Sequence, residues 1–191
     1  MKRVFLLSPA RADGVRMGLL FRPQAGFALA HRFQREGAPL GELFQFASGL
    51  YFRGKLAYAR RFAGSGLVIL PGRGLLDSAQ VLSPAELRAA AEVGVDPAEP
   101  RFREPLLRAA RALDASEVVL LGSIATGKYS DILLEALGDR LLFPKDFVGR
   151  GDMSRGGLLL RAADSGVELP YAPVRGAILH GKRPPKLARR G

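Results

Sequence analysis

Four short runs of apolar residues punctuate the chain at positions 4–7, 67–70, 117–121 and 141–143. None alternates apolar with polar, and each is closed by Gly, Pro or Ser. That is the pattern of strands buried on both faces of a parallel sheet. A fifth strand is expected at 167–169 and a weaker sixth at 177–179. Between these runs the apolar positions take helical spacing. Helices are expected at 40–47 and 50–63, broken near Ser48-Gly49, and at 104–113, 128–137 and 154–163. Ser83-Pro84 followed by Glu86 reads as an N-cap with proline at the first helical position, opening a helix that ends at Gly94. Residues 15–36 fit either an extra strand at 26–33 or a short helix. Alternating strands and helices predict an α/β fold in three layers. A mainly parallel central sheet of about four to six strands would carry helices on both faces.

A single domain over residues 1–180 is expected, since a chain of this length can bury about 70% of its unfolded surface. Residues 181–191, GKRPPKLARRG, hold two prolines and no apolar periodicity, and read as a flexible basic tail.

Composition narrows the chemistry. The 191 residues include no Cys and two His, His31 and His180. That removes disulfides, thiol nucleophiles and Cys-ligated metals. Neither histidine has a spaced partner, so no metal motif is present and both read as ordinary surface or satisfied side chains. There is no Asn, one Thr, and Arg at 23 of the 29 basic positions. This is a thermophile-like bias, which a GC-rich genome would also produce. The opening MKRVFLL starts like a secretion signal but stops at Ser8-Pro9, and no apolar run approaches the span of a bilayer. A cytoplasmic protein with no membrane partner is the expectation.

The net charge of +11 is unevenly placed. Residues 1–63 hold eleven Lys/Arg against three Asp/Glu, and residues 180–191 hold five against none. Clustered positive charge suits a polyanion, either a nucleotide or a nucleic acid (RNA or DNA). A generally basic protein with no such partner is the bland alternative.

Ligands of open parallel sheets sit beyond the carboxyl ends of the strands. That rule selects four loops. The first offers Ser8, Arg11 and Asp13; the second, PGRG, offers Arg73. The third, GSIATGKY, offers Gly122, Ser123, Thr126, Lys128 and Tyr129. The fourth, PKDFVGRGDMSRGG, offers Arg150, Asp152 and Arg155. Glycines let backbone N–H groups approach an anion, and helix N-termini add partial positive charge. These residues are therefore the candidate anion- or phosphate-binding set. Asp13 and Asp152 are the candidate catalytic acid/base groups. Ser154 is expected to cap the following helix, with Asp152 set between two arginines. GSIATGKY fits the G-x-x-x-x-G-K of a P-loop but carries Tyr where Ser or Thr would hold magnesium. The alternatives are a broader phosphate-binding turn or a simple tight turn with Lys128 in solvent.

In LYFRGKLAYARRFA, residues 50–63, Tyr51, Lys55, Tyr58 and Phe62 share one helical face. Aromatics interleaved with Arg53, Lys55, Arg60 and Arg61 suggest a nucleic-acid surface. The other reading buries the aromatics and solvates the basic residues.

FLLSPARADG, GLYFRGKLAYARRF, LVILPGRGLL and VVLLGSIATGKYSDIL follow one another in an order and spacing that covers roughly residues 3–165. This order resembles the Rossmann-like domains that accompany tRNA-modifying enzymes of the archaeosine-synthase type. The resemblance implies a uracil-DNA-glycosylase-like fold and a nucleotide or nucleic-acid context; it assigns no catalytic residue. Three functions follow as expectations. One is a nucleotide- or nucleic-acid-binding domain with its anion site at the strand ends, its phosphate-containing ligand not otherwise specified. The second is an enzyme acting on a nucleoside, nucleobase or phosphorylated sugar, of hydrolase or glycosyl-transfer type. The third is a non-catalytic protein-interaction domain that meets an acidic partner.

Overall fold

The structure, a computed structural model, describes residues 2–188. The four apolar runs form the parallel heart of a six-stranded sheet: β1 (Arg3–Leu7), β3 (Leu67–Leu70), β6 (Glu117–Leu121) and β7 (Leu141–Pro144). Antiparallel edge strands β4 (Gly74–Asp77) and β8 (Tyr171–Pro173) close it, giving the order β4-β3-β1-β6-β7-β8. A separate two-stranded ladder pairs β2 (Ala38–Pro39) with β5 (Val81–Leu82).

Strand parity sorts the core into two layers, because successive side chains of a strand point to opposite faces. Phe5, Leu7, Val68, Leu70, Val119 and Leu121 face one side. There they meet α1 (Val15–Leu19), α2 (Ala28–Glu36), α3 (Leu40–Ser48), α4 (Leu50–Ala63), α5 (Pro84–Ala91) and α8 (Asp152–Ser165). Leu6, Ile69, Val118, Leu120, Leu141 and Phe143 face the other side, against α6 (Pro100–Arg111) and α7 (Ser130–Leu137). The fold is thus a Rossmann-like three-layer α/β arrangement. Among the described residues no helix is long and apolar enough to cross a membrane.

Several local expectations are corrected. Residues 26–33 are not a strand; the ambiguous segment folds as α1 and α2. Residues 167–169 and 177–179 are not strands either. The backbone N–H of Leu169 donates to the Tyr58 hydroxyl at 2.8 Å, and the strand at that edge is β8. Its Pro173 is tolerated there because an edge strand pairs on one side only. Helix α6 starts at Pro100 rather than near Glu104: Glu99 caps it, and Pro105 is accommodated within the helix. Helix α8 starts at Asp152, so Ser154 lies inside its first turn and is no cap. In the tail, residues 181–188 have no regular structure, yet Leu187 approaches α8 at Gly157. The rest of the tail lies outside the described residues.

The cap at Ser83 is present as a full capping box. Its hydroxyl accepts from the Glu86 N–H, and the Glu86 carboxylate accepts from the Ser83 N–H at 2.8 Å. Hydrogen bonds from Ser83, helped by Arg73, hold the Glu86 carboxyl at about 2. Ser83→Ala is expected to lower stability by about 1 kcal/mol, readable as a shifted urea midpoint.

Candidate functional site

Strand order reverses direction at β1: the chain goes from β1 to β3 on one side and later returns to β6 on the other. Such a switch point opens a crevice beyond the strand ends. Ser8 follows β1 directly and Gly122 follows β6 directly. The two loops start in close contact, for a Cβ on Gly122 would lie 2.9 Å from the Ser8 side chain. The backbone N–H of Ser8 donates to the Leu121 carbonyl at 3.3 Å.

A cavity of about 570 Å³ sits over this point. Its floor holds Ser8 and Lys55, its walls Tyr51, Tyr129 and Ser123, and its exposed rim Arg11, Arg16, Thr126, Lys128 and Asp152. Lys55 is only 2% exposed. Its ammonium donates to the Ser8 carbonyl at 2.8 Å and to Ser8 Oγ at 2.7 Å, and it lies 4.0 Å from the Tyr51 ring centre. Burial pulls the Lys55 amine down to about 7; the field of Asp152 opposes this and that of Arg155 adds to it. Burial likewise pushes Tyr129 up to about 12 and Tyr51 higher still. The Tyr51 hydroxyl is buried and, among the described residues, has no well-formed hydrogen bond, although the Arg155 guanidinium bears on it.

The close crossing of α4 over α8 sets this arrangement. A Cβ at Gly54 would lie 2.6 Å from the Gly156 carbonyl oxygen, so only glycine permits the approach. It brings Tyr51 and Lys55 on α4 within the electrostatic reach of Asp152 and Arg155 on α8.

Seven of the candidate anion-binding and catalytic residues line the cavity: Ser8, Arg11, Ser123, Thr126, Lys128, Tyr129 and Asp152. Gly122 lies beneath it against Ser8. Asp13 lines an adjoining hollow that shares Arg11 and Lys128 with the cavity. It is bound by Arg11 at 3.1 Å, a contact that lowers its carboxyl below the usual range and makes it an acceptor rather than an acid. Arg155 is largely buried; it donates to the Phe147 carbonyl at 3.3 Å and pairs with Asp152 at 3.4 Å.

Other candidates fall elsewhere. The PGRG segment is a hairpin turn into β4, and Arg73 pairs with Glu86 at 3.0 Å instead of joining the cavity. Arg150 donates to the Asp146 carbonyl and to Ser154 Oγ, and lines a separate groove against the tail. Among the described residues Asp152 therefore pairs with one arginine, Arg155, and not with Arg150 as well. In the third loop, Asp131 of α7 sets its carboxylate against Gly127, so the helix N-terminus already faces a negative charge, and Tyr129 packs near Phe102. Neither feature fits a P-loop. Arg53, Arg60 and Arg61 are exposed, but Tyr51, Tyr58 and Lys55 of the same helix are buried. Lys55 is thus corrected from a surface contact to the cavity floor, and the surface of α4 lacks those tyrosines for stacking bases. His31 and His180 are exposed. No three His, Asp or Glu side chains cluster to hold a metal among the described residues.

Comparison with protein-family models, curated proteins and solved structures finds no match. Arg16 and the buried role of Lys55 are the residues that reading the loops missed. For Lys55 the signal was its place in the aromatic stripe of α4, which is the buried face.

Proposed function

We propose that the crevice binds a small phosphate-bearing ligand of the nucleotide class. The observation that carries this reading is the cavity itself. Three cations, Arg11, Arg16 and Lys128, rim a space whose walls supply two tyrosine rings and the Ser123 hydroxyl. Its volume falls in the range of small-ligand sites. Guanidinium and ammonium groups meet phosphate oxygens through charge-assisted hydrogen bonds, while Tyr51 and Tyr129 offer apolar surface to a base. Arg11 is already tied to Asp13 and Arg16 lies over the Phe46 ring, whereas Lys128 makes no ion pair among the described residues. The likeness in element order to domains of tRNA-modifying enzymes supports the same ligand class.

Titration calorimetry with nucleoside monophosphates at low salt is expected to show binding that weakens as salt rises. Lys128→Ala is expected to weaken it about 10-fold, the effect of one charge-assisted hydrogen bond. No binding at low salt, or affinity indifferent to both salt and Lys128, would remove the proposal.

A further inference from the structure

We propose that Ser8 and Lys55 form a nucleophile–base pair that cleaves an acyl ester or amide held in the crevice. A buried lysine with no acidic hydrogen-bond partner is an expensive way to fill space. Among the described residues both hydrogen bonds of Lys55 go to Ser8, at 2.7 Å to Oγ and 2.8 Å to the carbonyl oxygen. Both residues line the cavity, so the pair faces a place where a substrate can sit. As an ammonium Lys55 donates to Oγ, whose own proton goes to the Leu121 carbonyl at 3.4 Å; when the amine is neutral the hydroxyl turns from that long contact to donate to Nζ. Nucleophile and base within hydrogen-bond reach is the arrangement that activates a serine.

The step balances as follows. Ser8 Oγ attacks the carbonyl carbon while its proton passes to Lys55 Nζ. The tetrahedral adduct collapses, the bond from carbon to the leaving oxygen or nitrogen breaks, and Lys55 returns the proton to that atom. Water then attacks the Ser8 ester, gives a proton to Lys55, and Ser8 Oγ leaves and regains it. The electrophile is assigned as acyl rather than phosphoryl for a reason of charge. Lys55 must be neutral to accept the proton, so at the Ser8 hydroxyl it adds no positive charge to offset that of a phosphoryl group, and the cations that could, Arg11, Arg16 and Lys128, are exposed at the rim. A carbonyl carries no such charge.

The groups that face Lys55 bear on its charge. Burial favours the neutral amine, Arg155 adds to that preference and Asp152 opposes it. The Tyr51 ring lies beside it, Tyr129 lines the same cavity, and Arg11, Arg16 and Lys128 stand at the rim. The pair occupies the cavity of the nucleotide reading but stands without it, so the test uses probes that carry no nucleotide.

The protein is incubated with p-nitrophenyl acetate and, separately, with an alkyl fluorophosphonate, and labelled peptides are mapped by mass spectrometry. Ser8 is expected to carry the adduct, with a labelling rate that rises through about pH 7 and then levels off, following the Lys55 amine. Ser8→Ala abolishes that adduct. Lys55→Met, checked for folding by circular dichroism, slows it roughly 100-fold or more, the usual contribution of a general base. Adducts on Lys55 instead of Ser8, no Ser8 adduct on folded wild-type protein, or a Ser8 rate unchanged in Lys55→Met would each overturn the proposal. So would a rate flat with pH, a readout that needs no variant to fold.

Discussion

Gly156→Val is expected to destabilise the protein by at least about 3 kcal/mol, the upper range for overpacking a rigid contact. A Cβ at position 156 would lie 2.8 Å from the Leu50 carbonyl oxygen and 2.8 Å from Tyr51 Cα. Both are backbone atoms, so no side chain can swing away to make room. The same contact seen from the other helix places a Cβ of residue 54 at 2.6 Å from the Gly156 oxygen. Separating α4 from α8 by even 1 Å would strip dispersion contacts along the crossing. It would also move Tyr51 and Lys55 away from Asp152 and Arg155, so ligand binding and Ser8 labelling should fall with stability. Gly157→Ala is the matched control: among the described residues its added methyl meets only a Leu187 side-chain carbon at 3.3 Å, and the gain in helix propensity offsets that. Urea denaturation decides the matter. A Gly156→Val midpoint equal to that of Gly157→Ala would show that α4 and α8 do not meet backbone to backbone at this crossing.

What the sequence made legible follows from how each element is satisfied. Strands β1, β3, β6 and β7 are flanked on both sides and covered on both faces, so selection for apolar side chains acts at nearly every position and the runs stand out. The edge strands β4 and β8 pair on one side only, and their Gly, Asp, Tyr and Pro residues carry no such pattern. Loop cations were legible as charges but not as free charges. Arg73 and Arg150 are taken up by Glu86, the Asp146 carbonyl and Ser154. Those partners depend on a hairpin where PGRG reads only as a strand-end loop, and on a helix that starts at Asp152 rather than Ser154. Lys55 shows the opposite failure: read as a charge it belongs outside, read by its helical phase it belongs with Tyr51 and Tyr58. The phase was the better guide, because burial of a helical face is decided by the whole stripe. Its partner Ser8 lies 47 residues away, and only the β1–α4 packing brings the two together.

The stability of wild-type protein relative to Lys55→Met is expected to rise with pH between about 7 and 9.5. In the unfolded chain the amine keeps its proton up to its ordinary value of 10.5, whereas burial lets the folded protein release it above about 7. Across that interval the unfolded state binds more protons, so raising the pH favours the folded state, with a slope of up to about 1.4 kcal/mol per pH unit. From pH 7.5 to 9.5 the gap should change by about 2–3 kcal/mol. Below pH 7 both states are protonated and the gap should level off at its least favourable value for wild type. Methionine cannot donate to the Ser8 carbonyl or hydroxyl, and that loss is independent of pH, so it shifts the gap without tilting it. Unfolded tyrosines begin to ionise near the top of this interval, but both proteins share them, and Tyr51 and Tyr129 are pushed above their ordinary values by burial, so their contribution cancels from the gap. Chemical denaturation of the two proteins at matched ionic strength measures the slope. A gap that stays level from pH 7 to 9.5 would mean the Lys55 amine is charged throughout, and an ammonium that never releases its proton cannot take one from Ser8.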